Sequence, residues 1–499
     1  QKFGDHSVSA MGGMSYSKFD NTFTSSQIFG FLDNTLIDIN AGSLNPQVSG
    51  RKTEDVLLSY FSRAGYNYKQ KYLLDATLRY DGSSRFKEDR RWGLFYGLSA
   101  GWRLDQEGFF KNIRSLDFID LFKIRASYGE LGNQAVGLYS YFPTVNLGFD
   151  YAFNNTIAPG AAITRAVEPD ISWETTRTYD IGTDISAWRG KLNLSFDVFK
   201  KRTVDILRQV NIPAQVGGLT GPVKNVGTVE NRGYDVNLSY RTTIGKLKYE
   251  VGGELGYVRN EVVNLNGERI IGTRRITAAG YPIDSYFLYE ADGIYQTQEE
   301  VNKSAKISNA VKPGYVKYKD QNSDGKINGD DRIITGSSIP KYTFGFTFNI
   351  GYKGISLNSF FQGVQGVNLY PTANLATPFN NGAGVTKEWL TDSWTPDNPN
   401  ARFPLLTTAT GATENFVPST FFLKDGSYLR LKNIQLKYDL PLKLISKVKL
   451  SNFSVFVNGE NMLTFTKFKD FDPEKNITQD NLYEYPSLKT FSFGINATF

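Results

Sequence analysis

Cysteine is absent from the 499 residues, and histidine occurs once, as His6. Without thiols the chain has neither disulfides nor thiolate metal sites, and its redox compartment is left open. With one histidine, multi-His metal centres are excluded and a His general base has almost nothing to draw on. No stretch approaches the roughly 20 consecutive apolar residues of a membrane helix. That excludes helical spans only, since membrane strands hide their hydrophobicity by alternation. The net charge is a mild +6, and Lys and Arg are scattered, mostly beside Asp or Glu. No basic stripe points to nucleic acid. No charged n-region and apolar h-region precede Gln1, so the chain is expected to be mature or to lack its front, the second being preferred.

Aromatic residues, by contrast, are plentiful. The chain has 29 Tyr and 36 Phe, 14% aromatics in all, against a hydrophobic share of only 40%. That pairing suits aromatic girdles around a polar interior better than an oily helical bundle. The last nine residues show how they are arranged. Phe491, Phe493, Ile495, Ala497 and Phe499 share one face of an extended strand, opposite Ser492, Gly494, Asn496 and Thr498.

The same alternation recurs upstream. Leu94, Tyr96, Leu98, Ala100 and Trp102 oppose Phe95, Gly97, Ser99 and Gly101, and Tyr342, Phe344, Phe346, Phe348 and Ile350 oppose Thr343, Gly345, Thr347 and Asn349. Spans of about nine residues match a tilted membrane strand. Connections alternate between tight turns, such as Ala187-Trp-Arg-Gly190 and Tyr352-Lys-Gly354, and long segments at 131–170, 205–228, 261–282, 296–338, 366–424 and 463–486. Short turns on one side and long loops on the other are the barrel pattern. The expected fold is all-β: an antiparallel transmembrane β-barrel portion over residues 1–499, with about fifteen strands. A large soluble sandwich or propeller is the alternative, but no Ig-like or blade-like repeat spacing supports it.

The segment Pro313-Gly-Tyr-Val-Lys-Tyr-Lys-Asp-Gln-Asn-Ser-Asp-Gly-Lys-Ile-Asn-Gly-Asp-Asp-Arg332, followed by Pro340-Lys-Tyr342 and Phe361-Gln-Gly363, resembles the SusC/RagA family of TonB-dependent outer-membrane transporters. Further matches stand in the family's order: Tyr80-Asp-Gly-Ser-Ser-Arg-Phe86, Ser127-Tyr-Gly-Glu-Leu-Gly-Asn133, Trp173-Glu-Thr-Thr176, Asn231-Arg-Gly233, Asp425-Gly-Ser-Tyr-Leu-Arg-Leu-Lys-Asn433 and Val457-Asn-Gly-Glu-Asn461. The resemblance covers essentially the whole chain. It implies the C-terminal part of a 22-stranded barrel in the outer membrane of a Gram-negative bacterium, in contact with lipid and lipopolysaccharide. Family members are about twice as long and carry a TonB box and a plug before the barrel. The plug and first strands are therefore expected on a missing or separate segment. The resemblance also implies import of an oligosaccharide or peptide with a SusD-like surface lipoprotein, powered by TonB-ExbB-ExbD through the plug. The alternative is a SusC-like barrel that serves as a structural or assembly subunit of a larger machine. No acid-base pair or activated nucleophile singles itself out, and no enzyme is expected.

One segment has metal-ligand spacing. Asp320, Asn322 and Asp324 take positions 1, 3 and 5 of a 12-residue calcium loop, with Gly325 at the turn. Lys326 would offer its carbonyl, Asn328 would bind directly or through water, and Asp331 stands where glutamate is usual. The expected cofactor is a structural Ca²⁺; the same residues could equally close an Asx-rich turn. Tyr286, Tyr289, Tyr370, Trp389 and Trp394 are candidates for a substrate cavity or, alternatively, for loop packing.

Overall fold

The computed structural model describes residues 1–36, 38–372, 376–408, 411–445, 450–469, 471–475 and 485–499. Fifteen strands make the main sheet, and their hydrogen-bonded order is their order in the chain. They are β1 (Lys2–Phe3), β2 (His6–Phe29), β3 (Leu44–Tyr68), β4 (Tyr72–Ser83), β5 (Trp92–Arg103), β6 (Ile119–Asn133), β7 (Glu174–Ala187) and β8 (Leu192–Val204). After them come β9 (Thr228–Ile244), β10 (Leu247–Asn264), β11 (Tyr342–Tyr352), β12 (Ile355–Gln365), β13 (Tyr428–Asp439), β14 (Asn452–Thr466) and β15 (Thr490–Thr498).

The tight turns use left-handed backbone. Trp188 and Arg189 have φ of 55° and 60°, and Lys353 and Gly354 have φ of 50° and 86°. At Lys353-Gly354, where Tyr352 pairs with Ile355, two successive positive φ values match the right-handed twist of the flanking strands, as a two-residue hairpin requires; the connection from Ala187 to Leu192 has four residues, with Gly190 also at φ 73°.

Two compact units are distinguished. The first comprises Gln1–Trp102, Ala126–Tyr179 and Lys201–Thr228. Within it β2 and β3 pair over 24- and 25-residue strands, and β4 and β5 continue the antiparallel order. At its loop end Phe86, Phe95, Val136, Ile171 and Trp173 form an apolar cluster. Trp173 packs its ring against Phe86 and Phe95, and its Nε1–H donates to the Arg91 carbonyl at 2.9 Å. Gly132 is needed beside this cluster, because a Cβ there would lie 2.0 Å from the Phe95 ring.

The second unit comprises Arg103–Arg125, Asp180–Lys200 and Val229–Phe499. Here β10 to β15 pair antiparallel in sequence. Their apolar face is not a core: Val251, Phe346, Leu436, Val457 and Phe493 are all exposed, Phe493 at 80%. A soluble sandwich would bury that face against a second sheet. Among the described residues the buried apolar clusters of this unit, around Tyr286 and Trp389, around Tyr295 and Tyr315, and around Val316 and Tyr318, lie in the long connections.

Candidate functional site: a polar wall and a packed loop layer

Register fixes what the opposite face carries. Because side chains alternate, residues paired across strands share a face. Glu250 pairs with Asn349, Asn349 with Asn358, Asn358 with Gln435, Gln435 with Asn458, and Asn458 with Ser492. One row across six strands is thus made of a carboxylate, four amides and a hydroxyl. The next row toward the loops runs Gly252, Thr347, Phe360, Asn433, Glu460 and Thr490. Such a wall hydrogen-bonds water or a polar ligand and has no purpose facing hydrocarbon.

Charges on this face are held in nodes. Arg125 on β6 reaches Asp184 on β7 at 3.1 Å, Asp197 on β8 at 2.6 Å and Asp180 at 3.8 Å. Its Nη2–H also donates to the Ser195 hydroxyl at 3.1 Å. Arg430 on β13 makes a second node. Its guanidinium binds both oxygens of Asp472 and one of Glu474, and its Nε–H donates to Thr464 Oγ1 at 2.9 Å. Lys432 adds a bond to Glu474 at 2.8 Å. Burial alone would raise the Asp472 carboxyl, but Arg430 and the amides of Ser487 and Glu474 outweigh it and hold it at about 2. Asp472 therefore ties the connection between β14 and β15 to the wall. Sequence spacing does not reveal either node.

Above the strands the connections of the second unit pack on themselves. Tyr286 is fully buried and stacks on Tyr370 at 5.9 Å, while the Arg275 guanidinium lies 4.5 Å over the Tyr286 ring. Trp389 stacks on Phe403 at 4.5 Å. Trp394 is buried and donates to Gln296 Oε1 at 2.9 Å. Tyr289, half-buried, meets Tyr318. The Tyr318 hydroxyl is pushed up by burial and donates to the Glu414 carbonyl at 2.7 Å. Of the five aromatic candidates, four are buried: they build the layer instead of presenting faces to a ligand.

The segment with calcium-loop spacing is a chain of side-chain to backbone bonds. Asp320 Oδ2 accepts from Gly325 N–H at 2.9 Å, Asn322 Oδ1 from Asp324 N–H at 3.0 Å, and Asp324 Oδ1 from Lys326 N–H at 2.8 Å. Asn328 caps the short 3₁₀ turn Gly329–Asp331. Asp331 is fully buried, and its two oxygens accept from the amides of Gln321 and Asn328. Asp320 Oδ1 is buried with no hydrogen-bond partner among the described residues. No group of three or more His, Cys, Asp or Glu among the described residues is gathered as a metal would gather it.

The family described as "TonB dependent receptor-like, beta-barrel" matches residues 1–462. The chain belongs to this family. The membrane strands of this outer-membrane barrel turn their exposed apolar face to lipid and their amide rows to the lumen. "TonB-dependent receptor P26" of Formosa agariphila is 30% identical over 523 residues, covering 99% of this chain and 52% of the relative. "TonB-dependent receptor SusC" of Bacteroides thetaiotaomicron is 27% identical, covering 90% and 44%. Among solved structures, that of the "RagAB peptide transporter" superposes with a TM-score of 0.82 at 26% identity, over all of this chain and 54% of that one. The chain thus spans about half the length of the relatives it matches. They are receptors and transporters, not enzymes.

Proposed function

We propose that this SusC-like barrel imports a large nutrient, an oligosaccharide or a peptide, together with a SusD-like surface lipoprotein. The observation that carries the reading is the likeness to the RagAB peptide transporter over the full length of this chain. The amide rows support it, since a wall of Asn, Gln and Ser offers donors and acceptors to hydroxyls or peptide groups alike. No covalent step is required. The barrel supplies the passage, its loop layer docks the lipoprotein, and TonB-ExbB-ExbD pulls through a plug carried on the longer protein. Native purification from outer membranes tests the proposal, with every co-purifying chain identified by mass spectrometry. A plug with a TonB box and a SusD-like lipoprotein support import. A front half without a TonB box, or barrel-assembly or secretion components as partners, would make the chain a structural subunit.

We further propose that the 320–331 loop holds a structural Ca²⁺. Asp320, through its unpartnered oxygen, would hold the ion with Asn322, Asp324 and the Lys326 carbonyl; Asn328 and Asp331 complete the spacing. Bound calcium stiffens the loop. Proteolysis within 316–335 is expected to slow with added calcium and speed up with a chelator, and Asp324→Asn to abolish that response. Asp331→Asn is expected to loosen the loop with or without calcium, because its oxygens close the backbone. Identical cleavage with calcium and with chelator would sink the calcium reading.

A further inference from the structure

The short turns between neighbouring strands are cationic. Five of them, at 4–5, 69–71, 188–191, 245–246 and 353–354, carry six Lys or Arg residues against one carboxylate, Asp5. Three of these lysines are turned outward. Lys69 Nζ lies 5.4 Å over the Tyr68 ring, and Lys71 Nζ lies 5.5 Å over the Tyr72 ring. Tyr68 pairs with Tyr72 across β3 and β4, and two residues along the same face Tyr66 pairs with Leu74. Leu74 is 53% exposed and belongs to the apolar face that meets lipid. In the second unit, Lys353 Nζ lies 5.1 Å over Tyr352, which pairs with the exposed Ile355 on the lipid face.

In the first unit the rings beneath the lysines form one patch. Tyr68 stacks on Tyr72 at 6.3 Å, and the His6 ring lies 4.7 Å from Tyr68. His6 Nδ1 and the Tyr66 hydroxyl share a hydrogen bond of 2.8 Å. Tyr72 pairs in turn with Trp102, and Tyr66, Tyr72 and Trp102 are all exposed. Exposed Tyr and Trp rings at a membrane strand's end sit where acyl chains meet headgroups, with their polar tips toward water. Lysines at that depth lay their stems over apolar surface and hold the ammonium among the headgroups. Asp5 pairs with Lys69 at 3.1 Å, so Asp5, Lys69 and Lys71 together keep a net positive charge. The patch faces away from the lumen, and a plug inside the barrel does not cover it.

We propose that this patch, on the lipid face at the turn end of β2 to β5, binds an anionic phospholipid of the periplasmic leaflet. The headgroup phosphate meets Lys71 and Lys69 through charge-assisted bonds and the Tyr66–His6 pair through hydrogen bonds. The first acyl methylenes lie on Tyr68, Tyr72 and Trp102. An anionic headgroup fits better than a zwitterionic one, which brings its own ammonium up against the lysines. Lipopolysaccharide is phosphorylated too, but it belongs at the loop end, because the short turns of an outer-membrane barrel are periplasmic. Lys353 over Tyr352 offers a smaller contact of the same kind in the second unit.

Native mass spectrometry of the complete outer-membrane protein tests the site. The protein in detergent is equilibrated with equimolar phosphatidylglycerol, phosphatidylethanolamine and lipid A, and the lipids retained per protein are counted. Phosphatidylglycerol is expected in at least about three-fold excess over phosphatidylethanolamine, as attraction of an anionic headgroup to clustered lysines requires. That excess should fall by about half or more between about 50 and about 500 mM salt, as charge is screened. K69Q/K71Q/K353Q should bring the two phospholipids to parity and leave lipid A retention unchanged. K52Q/K224Q/K319Q, which removes three charges at the loop end, should leave the excess as it was. The salt titration on the unaltered protein needs no variant to fold. Equal retention of the two phospholipids, an excess indifferent to salt, equal losses in the two triple variants, or loss of lipid A instead of phosphatidylglycerol in the first each overturns the site. Lipid retention in detergent needs neither cargo nor TonB, so these outcomes are separate from a failure of import.

Discussion

Replacing Arg430 by methionine is expected to destabilise the connection between β14 and β15 by about 3–5 kcal/mol, the cost of breaking a buried ion pair from one side. Arg430 and Asp472 side chains are each only 5% exposed, so neither charge is rescued by water once the other is gone. Asp472 also accepts from the Ser487 amide at 2.8 Å and the Glu474 amide at 3.0 Å, holding both ends of the connection. The variant should expose 471–475 and 485–489 to protease while the strands stay protected. R430M/D472L should recover most of the loss, since a well-packed apolar pair tolerates burial that a lone carboxylate does not. The sign of the pH effect follows from the Asp472 pKa. Held at about 2 against an unfolded value near 3.9, the carboxylate contributes stability above roughly pH 4 and loses it as pH falls through about 2. Protection should therefore be flat from pH 5 to 8. An Arg430→Met protein as protease-resistant as the parent would show that the node is ornamental.

The same node marks where sequence reading stops. Strand alternation is a local property, so Tyr342 to Ile350 and Phe491 to Phe499 announce both their conformation and their two faces. The turns at Ala187–Gly190 and Tyr352–Gly354 are equally local, because the left-handed positions fall beside or on glycine. Arg430, in contrast, finds its partners 42 and 44 residues downstream, across a whole connection. No spacing rule links them. Trp389 and Tyr286 are legible as aromatic loop residues, but only the packed layer decides that they face each other's neighbours and not a ligand. Asp331 is legible as an acidic residue at the twelfth loop position; its complete burial beneath two backbone amides is not. Lys191, Arg241 and Lys248 are scattered in sequence and border one depression only because hairpin register brings their strand ends together.

That register also makes the two faces of one strand separable by experiment. Val457→Arg is expected to lose about 2–4 kcal/mol, the cost of a guanidinium on the lipid face near the middle of the bilayer. Val457 pairs with Leu436 on one side and Phe493 on the other, and all three are exposed apolar side chains in mid-strand. The neighbouring substitution, Asn458→Arg, adds the same charge one residue along and should cost less than about 1 kcal/mol. Asn458 lies in the amide row between Gln435 and Ser492, where an arginine stays hydrated and Glu460 stands two residues away. The comparison cancels any general effect of added charge, since size and sign are identical. Denaturant unfolding of the protein in lipid vesicles reads both variants on one scale. Equal losses, or a larger loss at Asn458, would mean that the apolar face meets something other than lipid. A shift of pairing by one residue would have the same signature, because it exchanges the two faces along the whole strand. The contrast between two adjacent residues therefore tests membrane orientation and strand register together.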